Sequence, residues 1–488
     1  MVLLAVVLWL ALPRADAHVG SPDVFLEGKA GPYPLFIAIR PPLVIPGVAQ
    51  VEIRTSAKDV SQVRIVPLPM TGAGAKFAPT PDLAERSKDD PQFFTGSLWM
   101  MTSGSWQVRV SVEGGQGKGE LAVPVPALAN KTERMQTGLA ILLSILGLVL
   151  CAGAVSIAGA ASREAKLEPG QQPTPEMRQR ARRTMVLTAL LVIAVLYLGN
   201  AWWTAEANSY GRIIYKPLRM DAALVGGSKL QLTLSDPGWL GRRVDDFVPD
   251  HNHLMHLYVI RLPEMERVWH LHPEMTASGV FTHDLPPMPA GSYALFADVV
   301  HESGLPETMV AEITLPAIAG KPLSGDDSAG SGHPLSQADP KNRTFVFEDG
   351  SKMIWERSSD TFPVKRAHAF RFRVEGPDGQ PVPDMELYMG MLGHAAFVKR
   401  DRSVFAHVHP TGSVPMAALS LAQKSEADPH AGHHMHAMAL PSEVTFPYGF
   451  PQPGDYRVFI QIRRSGKVQT AMFDTVVEDP NPPSPKTR

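Results

Sequence analysis

Hydrophobic and polar positions alternate with a period of two through much of the chain, in short runs separated by glycine and proline. Leu35-Phe36-Ile37-Ala38-Ile39, Gln50-Val51-Glu52-Ile53-Arg54 and Trp106-Gln107-Val108-Arg109-Val110-Ser111-Val112 carry this pattern early in the chain. Lys229-Leu230-Gln231-Leu232-Thr233-Leu234 and the run from Asp455 to Ile462 carry it later, and His256-Leu257-Tyr258-Val259-Ile260 reads as a further strand. Residues two apart on a strand share a face, so such runs predict the half-buried strands of β-sandwiches. Three apolar stretches break the pattern. Residues 2–12 end at the small-x-small signal Ala15-Asp16-Ala17, which predicts a secretory leader over residues 1–17 and a mature chain starting at His18. Gly138 to Ala161 and Thr184 to Trp203 carry no charge over 24 and 20 residues. At about 1.5 Å rise per residue, each spans a hydrocarbon core of about 30 Å.

Two transmembrane helices are therefore expected at 136–162 and 184–204. The loop between them, 163–183, holds Arg163, Lys166, Arg178, Arg180, Arg182 and Arg183. The positive-inside rule places that loop in the cytoplasm and both flanks outside, with Trp202 and Trp203 at the outer interface. The expected architecture is mainly β. Three extracytoplasmic β-sandwich domains (immunoglobulin- or cupredoxin-like) lie at 18–130, 208–316 and 343–478, with the two-helix hairpin between the first and second. Residues 317–342 have a linker's composition, and 479–488 that of a disordered tail.

Composition narrows the chemistry. A net charge of −2 gives no reason to expect nucleic acid. The single cysteine, Cys151, excludes an intramolecular disulfide framework and any multi-cysteine zinc site. Histidine is unevenly placed: of 17, only His18 precedes residue 250.

Those histidines fall into a repeat. His256 is followed by an apolar strand, a polar turn and Trp269-His270-Leu271-His272-Pro273; His394 is followed by Ala395-Ala396-Phe397-Val398, a polar turn and Ala406-His407-Val408-His409-Pro410. Both copies continue into a proline-rich turn and an aromatic strand, Pro289-Ala290-Gly291-Ser292-Tyr293 against Pro453-Gly454-Asp455-Tyr456. Four landmarks in order indicate an internal duplication. His270 and His272 share a strand face, as do His407 and His409, and an antiparallel return brings His256 or His394 opposite or diagonal to its pair. Three imidazoles per copy then converge, unless a one-residue slip turns the lone histidine away. Upstream, His251 and His253 match Met389 and Met391, which predicts a nitrogen-rich site in one copy and a site with added thioethers in the other. His253 and His256 are an odd number apart, so a bulge or bend must separate them. Thioethers favour Cu(I), and imidazole suits copper, zinc and nickel. Copper is the expected ion and zinc the alternative.

The insertion Asp428-Pro429-His430-Ala431-Gly432-His433-His434-Met435-His436-Ala437-Met438 has the composition of a metal-catching tract. His18, as a free N-terminus, is a further candidate ligand. His283, His301, His333 and His368 are expected as packed or solvated residues. A surface cluster held by hydrogen bonds is the bland alternative for the repeated histidines.

The run His253-Leu254-Met255-His256-Leu257-Tyr258-Val259-Ile260, with His270-Leu271-His272-Pro273-Glu274 and Phe296-Ala297-Asp298-Val299, resembles bacterial secreted proteins related to the FixH/YtkA-like group. Gly104-Ser105-Trp106-Gln107-Val108-Arg109-Val110 resembles the last hairpin of that group and of CopC-type periplasmic domains, whose mature chain begins with a ligand histidine, as His18 would. The resemblance implies copper handling: a chaperone, buffer or resistance factor at the bacterial inner membrane. It would exchange metal in the periplasm with a partner such as a respiratory oxidase or copper exporter. Two alternatives stay open. One is a metal-dependent enzyme with Glu274 or Asp298 as base, for which no catalytic motif is present. The other is a β-sandwich scaffold with incidental histidines.

Overall fold

A computed structural model describes residues 23–133, 135–424 and 440–480. The described chain is mainly antiparallel β-sheet, and it divides into two compact units: one runs to Leu128 and resumes at Lys216, the other is Ala129–Tyr215. The predicted strands fall within Tyr33–Arg40, Gly47–Thr55, Gly104–Gly114, Lys229–Ser235, His256–Leu262 and Gly454–Arg464.

The smaller unit contains α1 (Thr137–Glu164) and α2 (Pro175–Ile213), both long and apolar enough to cross a membrane. The second helix starts well before its apolar segment. Thr174 caps it, its hydroxyl accepting from the Met177 N–H, and Pro175 fills the first turn, where no N–H is needed. Arg178, Arg180, Arg182 and Arg183, expected in a loop, are good helix formers and continue this turn, and Arg163 lies in the last turn of α1. Gly159 lets the helices approach, since a β-carbon there would meet the Met185 side chain at 2.5 Å.

In the larger unit, a first module spans Val24–Ala127 and pairs a five-stranded with a four-stranded sheet. The second and third modules repeat one topology. The strands Pro306–Leu315, Gly291–Val300, His256–Leu262 and Arg267–Leu271 are neighbours in that order; Lys467–Glu478, Gly454–Arg464, His394–Lys399 and Phe405–Val408 take the same order. A four-stranded sheet backs each set.

Three β-sandwich domains were expected, and the second and third share buried surface. Leu257, Val259 and Leu271 face the second module's own core, and Ala395, Phe397 and Val408 face the third's. The alternate residues Tyr258, Ile260, Val268, Ala396, Val398 and Phe405 meet in one apolar layer between the two sheets. Phe296 stacks on Phe405 there, with centroids 4.5 Å apart and planes at 5°. Strands buried on both faces explain why the runs around His256 and His394 are apolar throughout.

The expected linker 317–342 is also corrected. Ser328–Ser331 forms a strand against Arg267–Leu271, pairing Ser328 with His270. Its small residues suit that place: a β-carbon on Gly330 would meet Thr470 at 2.4 Å. The first module braces the third. Glu27 N–H donates to the Thr411 carbonyl at 2.7 Å and Ser413 N–H to the Phe25 carbonyl at 2.9 Å, which fixes the loop following His409.

Candidate metal centre

Every histidine of the repeat points into the layer between the second and third modules. In the second, Leu257 pairs with Leu271 and Tyr258 with His270, leaving His256 opposite His272 and diagonal to His270. In the third, Ala395 pairs with Val408 and Ala396 with His407, so His394 stands in the same relation to His409 and His407. The register slip does not occur. The break expected between His253 and His256 falls at Leu254 and Met255, which lie outside the strand, and a two-residue turn precedes it. His251 and Asn252 adopt φ of 49° and 71°, and Asp250 and His253 exchange backbone hydrogen bonds. The third module copies it with Met389 and Gly390 at φ of 50° and 80°, between Tyr388 and Met391.

One nitrogen from each of His256, His270 and His272 lies within 4.8 Å of the other two, and all three residues are buried. Burial, reinforced by the neighbouring imidazoles, holds His256, His270, His394 and His407 well below the ordinary histidine range. Burial likewise lowers His409, to about 3, and lowers His272 against the pull of Asp327. Neutral imidazoles carry one N–H each, and the surroundings fix which nitrogen bears it.

His256 Nε2 donates to the Asp250 carbonyl at 3.0 Å, which leaves Nδ1 bare. His270 Nδ1 donates to Gln461 Oε1 at 2.9 Å, which leaves Nε2 bare. The Gln461 amide is oriented by its Nε2, which donates to Ser328 Oγ at 2.8 Å. The two bare nitrogens face each other at 3.1 Å. His272 Nδ1 donates to Asp327 Oδ1 at 3.0 Å, and its buried Nε2 has no hydrogen-bond partner among the described residues.

The third module repeats the pair. His394 Nε2 donates to the Tyr388 carbonyl at 3.2 Å, His407 Nδ1 faces Asp298 Oδ2 at 3.4 Å, and His394 Nδ1 and His407 Nε2 are 3.1 Å apart. Gln461 pairs with His394 on the neighbouring strand, as Asp298 does with His256. Each module thus orients a histidine of the other. Burial pushes the Asp298 carboxyl up to about 7, against a hydrogen bond from Thr308. Two nitrogens bound at about 2.0–2.1 Å to one ion lie roughly 2.9–3.4 Å apart for square to tetrahedral angles. Both facing pairs meet that spacing. In each, the other ring nitrogen is engaged by a carbonyl, amide or carboxylate, the outer-shell arrangement of ligating histidines.

The upstream residues divide differently from expectation. His253 stays with the second module, stacked on His272 at 3.9 Å, with Nε2 on Asp326 Oδ2 at 3.1 Å. His251, expected beside His253, sits instead with His394 and His409, at ring distances of 5.1 and 4.9 Å. Its turn is anchored there because Asp250 Oδ1 accepts from Ala417 N–H at 2.7 Å, at the start of α3 (Met416–Lys424). Met389 is buried on the equivalent turn, and Met391 closes that turn through its backbone. The two clusters, expected as separate sites, abut: His256 and His407 are 5.3 Å apart between ring centres. His18, His430, His433, His434 and His436 lie outside the described residues.

Four orienting groups escaped the sequence reading. Asp326 and Asp327 lie in the stretch read as linker, and Gln461 and Tyr388 belong to no motif. Tyr388 Oη donates to the Asp326 carbonyl at 2.7 Å and holds that strand over the site. His283, read as packed or solvated, lies 3.2 Å from the second oxygen of Asp327. His301 is locked between Asp246 and Glu307, and His333 pairs with Asp474.

A family model described as a domain of unknown function (DUF8832) matches residues 346–479, the third module. No curated protein matches the sequence. Among solved structures, a tetra-tandem repeat from the extending region of a large adhesion protein is 9% identical, covering 89% of this chain and 71% of that one, with a TM-score of 0.17. Salmonella α2-macroglobulin reacted with methylamine is 7% identical, with 95% and 24% covered and a TM-score of 0.19. Invasin, a bacterial integrin-binding protein, is 9% identical, with 91% and 60% covered and a TM-score of 0.14. Likenesses this distant bear on neither the site nor its chemistry.

Proposed function

We propose that the chain is a metal-binding protein of the bacterial inner membrane, with copper the preferred ion and zinc the alternative. α1 and α2 anchor it, the basic residues from Arg163 to Arg183 lie in the cytoplasm, and the β modules face the periplasm. The observation that carries the reading is the facing of two imidazole nitrogens at 3.1 Å in both copies of the repeat, the other nitrogen of each ring being engaged elsewhere. Two lone pairs at that distance repel, and a cation between them turns the repulsion into ligation. All-imidazole ligands without thiolate suit borderline divalent ions, and affinity rises to Cu(II) before falling at Zn(II). The protein buffers the ion or passes it to a periplasmic partner such as a respiratory oxidase or copper exporter.

The test is metal retention by the full chain, purified in detergent and challenged with competing chelators. Retained copper that is lost on replacing His256 and His270 with Ala supports the reading. Retention of zinc in preference to copper changes the ion. Failure to hold either at micromolar concentration leaves a scaffold.

A further inference from the structure

Sequence assigns His251 to the second module, yet its ring lies nearer to His394 and His409 than to His256, 6.1 Å away. One nitrogen each of His251, His394 and His409 lies within 4.8 Å of the others. His251 Nε2 is buried without a hydrogen-bond partner among the described residues. Both His409 nitrogens are in the same state, although the Val414 backbone approaches that ring. Leaving a buried polar atom unpaired costs about 1–3 kcal/mol. Here two of the three grouped rings carry such atoms.

The turn cannot swing His251 back to its own module without breaking the Asp250 contact to the start of α3. The His407 ring faces His394 in the second cluster and also lies 5.3 Å from His256, 5.5 Å from His270 and 4.6 Å from His409, so the two clusters adjoin there. We propose that the modules hold two ions side by side, and that the second, between His394 and His407, is shared across the module boundary by His251 and His409. This rests on the metal-binding reading above. It makes the second ion a staple: filling that site ties the second module to the third, whereas filling His256, His270 and His272 engages the second alone. Asp326 and Asp327, held against His253 and His272, offset part of the repulsion between two cations in one layer.

The experiment uses the full chain in detergent, with His430, His433, His434 and His436 replaced by Ala so that the tract adds no ligands, titrated with Cu(II). The parent should show dipolar broadening in its electron paramagnetic resonance spectrum once both ions are bound. His251→Gln and His409→Ala should each lose one ion and the broadening, and the double variant should lose no more. His251→Gln combined with His272→Ala should lose two. Additive losses from His251→Gln and His409→Ala, or full stoichiometry in His251→Gln, would overturn the shared site while leaving metal binding intact. A parent that binds no Cu(II) overturns the function itself.

Discussion

Asp327 is the sharpest point at which to perturb the site without touching a ligand. Its Oδ1 accepts from the His272 ring at 3.0 Å and from the His272 backbone N–H at 3.0 Å; its Oδ2 lies 3.2 Å from His283 Nε2. Burial pushes the Asp327 carboxyl up, but the contacts with His272 and His283 outweigh it and keep the group ionised. Asp327→Asn keeps shape and one acceptor but removes the charge that fixes the His272 tautomer. Loss of an outer-shell partner lowers metal affinity by about 10–100-fold, or roughly 1.4–2.8 kcal/mol. That range matches the roughly 1.5–3 kcal/mol of a hydrogen bond to a charged group. Copper affinity, read by chelator competition on the full chain, should fall by that factor at the His256–His270–His272 site. The site with His251 and His409 should hold copper as before. Unchanged affinity, with an unchanged melting temperature for the metal-free protein, would refute the positioning role.

Three further outcomes are expected. His301 donates to Asp246 at 2.7 Å and to Glu307 at 2.9 Å. Burial lowers its pKa, but the two carboxylates outweigh this and raise it. The stability it adds is complete below the ordinary value of about 6.5 and is lost as pH rises through the higher folded value. His301→Gln should flatten that alkaline decline in melting temperature; an identical decline in the variant would contradict the assignment. Arg457, fully buried, donates to both oxygens of Asp474 and to the carbonyls of Glu264, Met265 and His333. Arg457→Met should cost about 3–5 kcal/mol in chemical denaturation, because it leaves Asp474 without its buried partner; a loss within measurement error would count against that coupling. Replacing Met389 and Met391 with Ala should weaken Cu(I) more than Cu(II), and equal losses would remove the thioethers from the site.

The period of two located the strands, and four ordered landmarks located the duplication, because each is written in neighbouring residues. The three shared histidines per copy followed from strand geometry alone. The destination of His251 did not, since a two-residue turn decides which module it faces, and Asp250 is held by a helix start 167 residues away. Asp326 and Asp327 sit among glycine and serine that read as linker. Small residues there let the strand lie against Arg267–Leu271, and composition alone does not separate that packing from solvation. The buried layer shared by the second and third modules was not legible for a related reason. A strand buried on both faces looks the same in sequence whichever element covers its second face.

The most direct test is copper X-ray absorption on the full chain with the four tract histidines replaced. Retained copper with a nitrogen first shell and the outer-shell scattering of several imidazoles is expected, reduced when His256 and His270 are replaced. Copper that washes out, or that shows an oxygen shell without imidazole scattering, would contradict that expectation.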